Sequence, residues 1–150
     1  MTDRVDFYVL QSQAPQRRWN FACRLTAKAY LQDLSIVIWS ENAGDARLCD
    51  ELLWTFDDRS FVPHRLTRDG EPIDAGTPVH VMLELESVER ADLLINLANR
   101  FPAGLARFSR IAEIVDADPE RRRLGRERFK AYRDQKLALE THQLSDAADI

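Results

Sequence analysis

The sequence predicts a single α/β domain: a doubly wound, mostly parallel sheet resembling a nucleotide-binding fold, with a long helix near its C-terminal end. Three observations carry this. Arg4–Leu10 (RVDFYVL) and residues 34–39 (LSIVIW) are short β-branched and aromatic runs of the kind that form buried strands, and a segment of helical period separates them. A strand, helix, strand succession is most economically a parallel βαβ unit crossing over right-handed. The third is size and composition: 150 residues, 45% hydrophobic and 31% charged, with five Gly and six Pro, suit one domain able to bury a core.

Each element follows from its own residues. Val5, Phe7, Tyr8, Val9 and Leu10 give the first strand its apolar profile. Pro15 opens a helix in which Trp19, Ala22, Cys23, Ala27 and Tyr30 recur with helical period. A second helix over residues 43–56 places Leu48, Cys49, Leu52, Leu53 and Phe56 on its apolar arc and turns Trp54 away from it. Ser60-Phe61-Val62-Pro63-His64 follows, where Pro63 argues for an edge or a loop. Residues 67–77 (TRDGEPIDAGT) are a turn-rich loop, and residues 79–85 (VHVMLEL) a third strand. Residues 91–98 (ADLLINLA), short and bounded by polar residues, are predicted as a strand. A short turn or helix comes after Phe101-Pro102, then a strand over residues 111–115 (IAEIV). Pro119 and Glu120 suit the first turn of a last helix, predicted to run to Glu140. Residues 141–150 are polar and acidic and are expected to form a loose tail, which divides the chain into a domain over 1–140 and a tail over 141–150.

Charge is sorted along the chain. Residues 119–140 carry eight Lys and Arg against four Asp and Glu, a net of +4, inside a protein of net charge -4, so the remainder sums to -8. At about 100° per residue, Leu124, Ala131, Gln135, Ala138 and Leu139 share one side of the predicted helix as its core stripe. Arg122, Arg126, Phe129 and Arg133, spaced i, i+4, i+7, i+11, make a stripe nearly opposite, with Lys130 beside it. An aromatic ring among four cations is thereby expected near water. That face reads as a solvated surface with the ring folded onto a loop, or as a docking site for an acidic peptide with an apolar anchor, in which guanidinium forks take carboxylates and the ring lines a pocket. A nucleic-acid surface fits less well, because phosphate tracking calls for a broad basic face. Trp54, Phe61 and Pro63 form a second candidate patch, apolar and suited to a protein partner.

Enzymatic signatures are missing from the sequence. The turn after the first strand, QSQAPQ, has no glycine, and SENAGDA after the second has one Gly and no Lys, so neither a dinucleotide fingerprint nor a Walker loop is present. His64, His80 and His142 stand in no metal-binding spacing and no GxSxG elbow occurs, so no catalytic residue, metal or cofactor is expected. His80, alternating with apolar neighbours, suits a hydrogen-bonded structural role. Cys23 and Cys49 fall on helices and are expected as buried free thiols. With no apolar run near the roughly 20 residues of a membrane span and no signal-peptide pattern in MTDRVDFYVL, the chain is expected in the cytoplasm.

VDFYVL near the start, Leu53-Trp54 followed by SFVPH, EIVD over residues 113–116 and RERFKAYR over residues 126–133 occur in an order that resembles the chi subunit family of the bacterial DNA polymerase III holoenzyme, part of the clamp-loader assembly. The resemblance implies a nucleotide-binding shape without nucleotide chemistry. It also implies a non-catalytic adaptor that binds the acidic C-terminal tail of single-stranded-DNA-binding protein, which ends in a Pro-Phe carboxylate. By motif, Arg126 clamps that carboxylate, Phe129 walls the pocket for the terminal Phe and Lys130 adds a carboxylate contact. Arg122 stands for a basic residue one turn earlier, and Arg133 extends the same stripe. The family commonly has Tyr where Phe129 stands, and the connection from EIVD to the helix is shorter here. Trp54, Phe61 and Pro63 resemble the surface that holds the psi subunit, or an iron-sulfur helicase in its place. The competing classes are a nucleotide-binding enzyme and a direct single-stranded DNA binder.

Overall fold

The computed structural model describes residues 1–59, 61–68, 71–74 and 76–144. In chain order they form β1 (Arg4–Leu10), α1 (Pro15–Leu31), β2 (Ile36–Trp39), α2 (Ala43–Thr55), β3 (His64–Leu66), β4 (Val79–Met82), β5 (Ala91–Asn96), a 3-10 turn (Leu105–Arg107), β6 (Phe108–Val115), α3 (Pro119–Asp134) and β7 (Leu139–Leu144). The strands make one seven-stranded sheet in the order β3-β4-β2-β5-β6-β1-β7, and each neighbouring pair is parallel. β1 and β2 belong to one sheet, as their pattern predicts, but β6 and β5 lie between them.

Both faces of the central strands are covered, which is why their sequences are apolar runs with little alternation. On one face Phe21, Cys23 and Leu53 of α1 and α2 pack against Ile36, Ile38, Val81, Ile95 and Ile114. On the other, Tyr132 of α3 packs with Val5, Phe7, Val37, Leu94 and Ile111, and the segments after β4 and β5 add Leu85, Val88 and Ala98.

The apolar stripes differ in detail from the periodic reading. α1 buries Phe21, Thr26 and Ala29 along with Ala22 and Cys23, leaving Trp19, Ala27 and Tyr30 only partly covered. Its inner face also holds Arg18, whose guanidinium donates to Ile114 O (2.8 Å) and Asn99 Oδ1 (2.8 Å). α2 contacts its neighbours through a narrow seam of Ala46, Cys49 and Leu53, so Leu48, expected on its arc, is 42% exposed. Both cysteines are free and buried; burial pushes the Cys49 thiol up to about 12 and Cys23 higher. His80 has the structural setting expected of it: Thr67 Oγ1 lies 2.7 Å from Nδ1 and the Asp74 carbonyl 3.1 Å from Nε2.

The largest correction concerns the C-terminal end. α3 stops at Asp134, six residues before the expected end at Glu140. Lys136 takes a left-handed φ of 61°, Leu137 N–H donates back to Tyr132 O (3.3 Å) and Lys136 N–H to Arg133 O (2.8 Å), a Schellman closure made without glycine. The chain then turns back and residues 139–144, expected partly as helix and partly as loose tail, pair with β1 from Val5↔Leu139 to Leu10↔Leu144. Residues 145–150 of the expected tail lie outside the described residues. The core stripe predicted for this helix is also wrong: α3 buries Gly125, Arg128 and Tyr132, whereas Gln135 and Ala138 are exposed. Among the described residues no helix is long and apolar enough to cross a membrane.

Candidate functional site

The N-terminus of α3 is held by its own charges. Asp118 caps it, accepting from Arg121 N–H (3.0 Å), and the buried Asp116 takes the Arg121 guanidinium through two bonds of 2.8 and 2.7 Å. This hydrogen bonding to Asp116 raises the Arg121 pKa above its ordinary value. Arg122 Nε donates to Asp116 O (3.1 Å) and its Nη2 to Leu10 O (3.2 Å), tying the helix to the end of β1. Further along, Gly125 allows close approach to β6: a Cβ there would lie 3.1 Å from Val115 Cγ2.

Below that contact is a buried ion pair. Arg128 is 3% exposed and donates through Nε to Glu113 Oε1 (2.9 Å). Oε2 of Glu113 accepts from Tyr132 Oη–H (2.6 Å) and Asn96 Nδ2–H (2.9 Å). Burial, then the neighbouring Glu113 charge, push the Tyr132 hydroxyl far above its ordinary pKa. Sequence pattern missed Arg128 and Tyr132 as the inward face, because a buried Arg carries no apolar signal.

Pairing decides which cations of α3 face outward with capacity to spare. Arg121 is bound to Asp116, Arg128 to Glu113, and Arg123 to Glu120 and Glu127. Arg126, Lys130 and Arg133 are exposed and have no hydrogen-bond or ion-pair partner among the described residues.

α3 packs over β6 and β1, while β7 extends the sheet one strand further, leaving a trough of about 260 Å³. Phe7, Val9, Val115 and Gly125 form its floor, Arg122, Arg126 and Phe129 one wall, and Thr141 and Gln143 the other. The β7 wall follows from register, since Thr141 lies beside Phe7 and Gln143 beside Val9. Phe129 is half-buried with its ring edge-on to Phe7 at 5.2 Å, so it borders the trough and does not stand free in water. The structure thus gathers Arg122, Arg126 and Phe129 at one cavity and leaves Lys130 and Arg133 outside its lining. Thr141 and Gln143 were not foreseen; only the alternation of Leu139, Thr141 and Gln143 with Glu140 and His142 hints at a strand. An apolar floor beneath guanidinium groups is suited to a ligand with one anionic and one apolar group.

At the other side of the molecule Trp54 is 55% and Phe61 64% exposed, with ring centroids 5.6 Å apart. Pro63 is partly buried in the same segment. Beneath Trp54 lies His64, 4.5 Å away ring to ring, with Nδ1 2.7 Å from Val62 O and Nε2 3.0 Å from Asp50 O. The imidazole seats the Trp ring, a role that the sequence did not suggest.

Asp6, Glu140 and His142 are the described residues whose ligand atoms come close enough, within 4.8 Å, to share a metal ion. Asp6 Oδ2, however, already accepts from Arg4 (3.1 Å) and Arg110 (3.1 Å), and Oδ1 lies 3.0 Å from His142 Nε2, so two guanidinium groups and an imidazole occupy the carboxylate.

With this geometry in place, the chain can be set beside known proteins. The family model for the DNA polymerase III chi subunit, HolC, matches residues 1–140. The chain belongs to the chi subunit family. Among curated members it is 37% identical over 141 residues to DNA polymerase III subunit chi of Pseudomonas aeruginosa, covering 94% of this chain and 96% of that one. It is 32% identical over 145 residues to subunit chi of Haemophilus influenzae (96% and 99%) and 33% identical over 112 residues to that of Escherichia coli (74% and 75%). Chi subunits are accessory subunits of the replicative polymerase, in accord with the resemblance read from the sequence.

Proposed function

We propose that this chi-family protein is a non-catalytic adaptor that captures the acidic C-terminal tail of single-stranded-DNA-binding protein in the trough between α3 and β7. The observation that carries this reading is the pairing pattern. Among the described residues Arg126 has no partner and stands beside Arg122 above an apolar floor bordered by Phe129, while Arg121 and Arg128 are spent on buried carboxylates and Arg123 on Glu120 and Glu127. Arg126 takes the terminal carboxylate, the Phe7, Val115 and Phe129 surfaces take the terminal aromatic ring, and Lys130 and Arg133 attract the acidic residues preceding it. The exposed Trp54–Phe61 face, with Pro63, joins the protein to the clamp loader through psi or to an iron-sulfur helicase by burying those rings.

Fluorescence anisotropy with a labelled peptide copying that tail tests the site. Arg126→Ala and Phe129→Ala should each weaken binding by at least about tenfold, the scale of an interface hot spot, and so should removal of the terminal Phe from the peptide. Thermal melts of both variants control for folding, because Phe129 also touches Phe7. Binding that ignores all three changes would place the site elsewhere. Tight, steeply salt-dependent binding of bare single-stranded DNA would instead favour a direct nucleic-acid binder.

A further inference from the structure

We propose that His142 is a positioning residue for the α3–β7 trough: from the far face of β7 it locks that strand onto β1 and so holds the second wall in place. This rests on the reading of the trough as the acidic-peptide site. Successive side chains of a strand point to opposite faces. Thr141 and Gln143 line the trough on the α3 side, so His142, between them, faces the other side of the sheet. There its Nε2 lies 3.0 Å from Asp6 Oδ1, and its ring stacks on Tyr8 with centroids 4.8 Å apart and planes 15° apart. An ionised carboxylate only accepts, so the imidazole nitrogen facing it carries the proton and donates. Asp6 is 1% exposed and is already held by Arg4 and by Arg110 of β6, at 3.1 Å each. His142 thus bolts β7 to a carboxylate fixed across β1 and β6.

β7 has need of such a lock. It is an edge strand, with β1 as its one neighbour in the described sheet, and Glu140, Thr141 and Gln143 are exposed. Leu139 and Leu144 are partly buried at its two ends, and His142 is the partly buried residue between them. Edge segments with few buried groups open locally at small cost in free energy. Each opening removes the Thr141 and Gln143 wall, so a peptide that needs that wall meets only a fraction of competent molecules, and its apparent Kd rises by the inverse of that fraction. A hydrogen bond to an ionised group shifts such a local equilibrium by about tenfold or more, so its loss should weaken peptide binding by about three- to tenfold, although His142 does not line the trough.

Kinetics identify the role. When opening is fast relative to binding, a smaller competent fraction lowers kon and leaves koff alone, whereas a residue that touches the peptide acts mainly on koff. A general loss of stability moves neither, because the globally unfolded fraction of a native domain is negligible. The test is stopped-flow binding of the labelled acidic tail peptide to the native chain, His142→Ala, His142→Phe and His142→Gln, with amide hydrogen exchange of each. His142→Ala should lower kon about three- to tenfold and keep koff within about twofold. Exchange within Leu139–Leu144 should quicken while α1 and α2 exchange as in the native chain. His142→Phe keeps the stack on Tyr8 without the hydrogen bond and should behave nearly as Ala. His142→Gln, whose amide N–H reaches a similar distance toward Asp6, should recover most of kon. Unchanged kon in His142→Ala, a loss carried by koff, or a Gln variant no better than Ala would overturn the role. Faster β7 exchange with unaltered peptide kinetics would overturn it too, and would leave the adaptor reading standing where Arg126→Ala still weakens binding. A native chain that binds no peptide overturns the adaptor reading and this role with it, an outcome read from the native titration alone.

Discussion

Arg128→Met is expected to be among the most damaging single changes in this protein, although Arg128 lies in the motif most readily taken for surface. Glu113 is 0% exposed and accepts three hydrogen bonds, of which only that from Arg128 brings a compensating charge. Met fills the volume of the side chain and removes the charge, leaving a buried carboxylate with two neutral donors. Breaking a buried pair from one side costs about 3–5 kcal/mol. In a domain of this length each kcal/mol moves the midpoint by about 2–4 °C, so Tm should fall by about 6–20 °C. The pair itself is incompletely satisfied, since Arg128 Nη1 and Nη2 find no partner among the described residues. Adding Glu113→Gln to Arg128→Met should therefore recover most of the loss, to within about 1 kcal/mol of the native chain, because no buried charge remains. Urea unfolding and calorimetry of the single and double variants check this. A loss under about 1 kcal/mol for Arg128→Met, or a double variant no better than the single, would refute the view that Arg128 balances a buried charge.

Burial pushes the Asp6 carboxyl up, but hydrogen bonds from His142, Arg110 and Arg4 outweigh it and hold the folded pKa below the ordinary carboxylate value. Its stabilising contribution is thus complete above about pH 3.9, the unfolded value, and is lost as pH falls through the folded one; the stability gap between native chain and Asp6→Asn should close in urea titrations below that point. Gly125→Val places methyl groups where a Cβ already meets Val115 Cγ2 at 3.1 Å, so about 1–3 kcal/mol of stability and the tail-peptide affinity should both be lost, by melting and anisotropy. Preserved affinity would show that the trough is not the site. Trp54→Ala and Phe61→Ala alter exposed rings and should change stability by only about 0.5 kcal/mol, while the affinity of a psi or helicase partner drops by about 2 kcal/mol or more in calorimetric titration.

The segments that sequence placed well are those where side-chain pattern and backbone preference agree. β1, β2, α1, α2 and the start of α3 are legible because their apolar runs, Pro15 and Pro119 act within a few residues of one another. The cations and ring of the trough were legible too, since i, i+4, i+7 spacing is a local property of a helix. Which of those cations is available was decided only in three dimensions. Arg121 and Arg128 carry the same charge as Arg126, and differ in availability because Asp116, just past the end of β6, and Glu113, on β6, meet two of them and not the third.

The C-terminal end divides the two kinds of information most plainly. The residues of 135–144 have no glycine or proline to end a helix and no strong alternation, so local preference favours continuing α3. What overrides it is the open edge of β1, whose free peptide groups accept a parallel partner once Lys136 reverses the chain. By itself the sequence determined the fold class, the family and the chemistry on offer, an aromatic ring among arginines and an exposed Trp beside a Phe. Tertiary structure alone decided that β6 and β5 separate β1 from β2, that β7 builds the second wall of the trough, and that Arg126 has no ion-pair partner among the described residues. These depend on contacts between residues distant in the chain, and the energy of such contacts leaves no periodic trace in sequence.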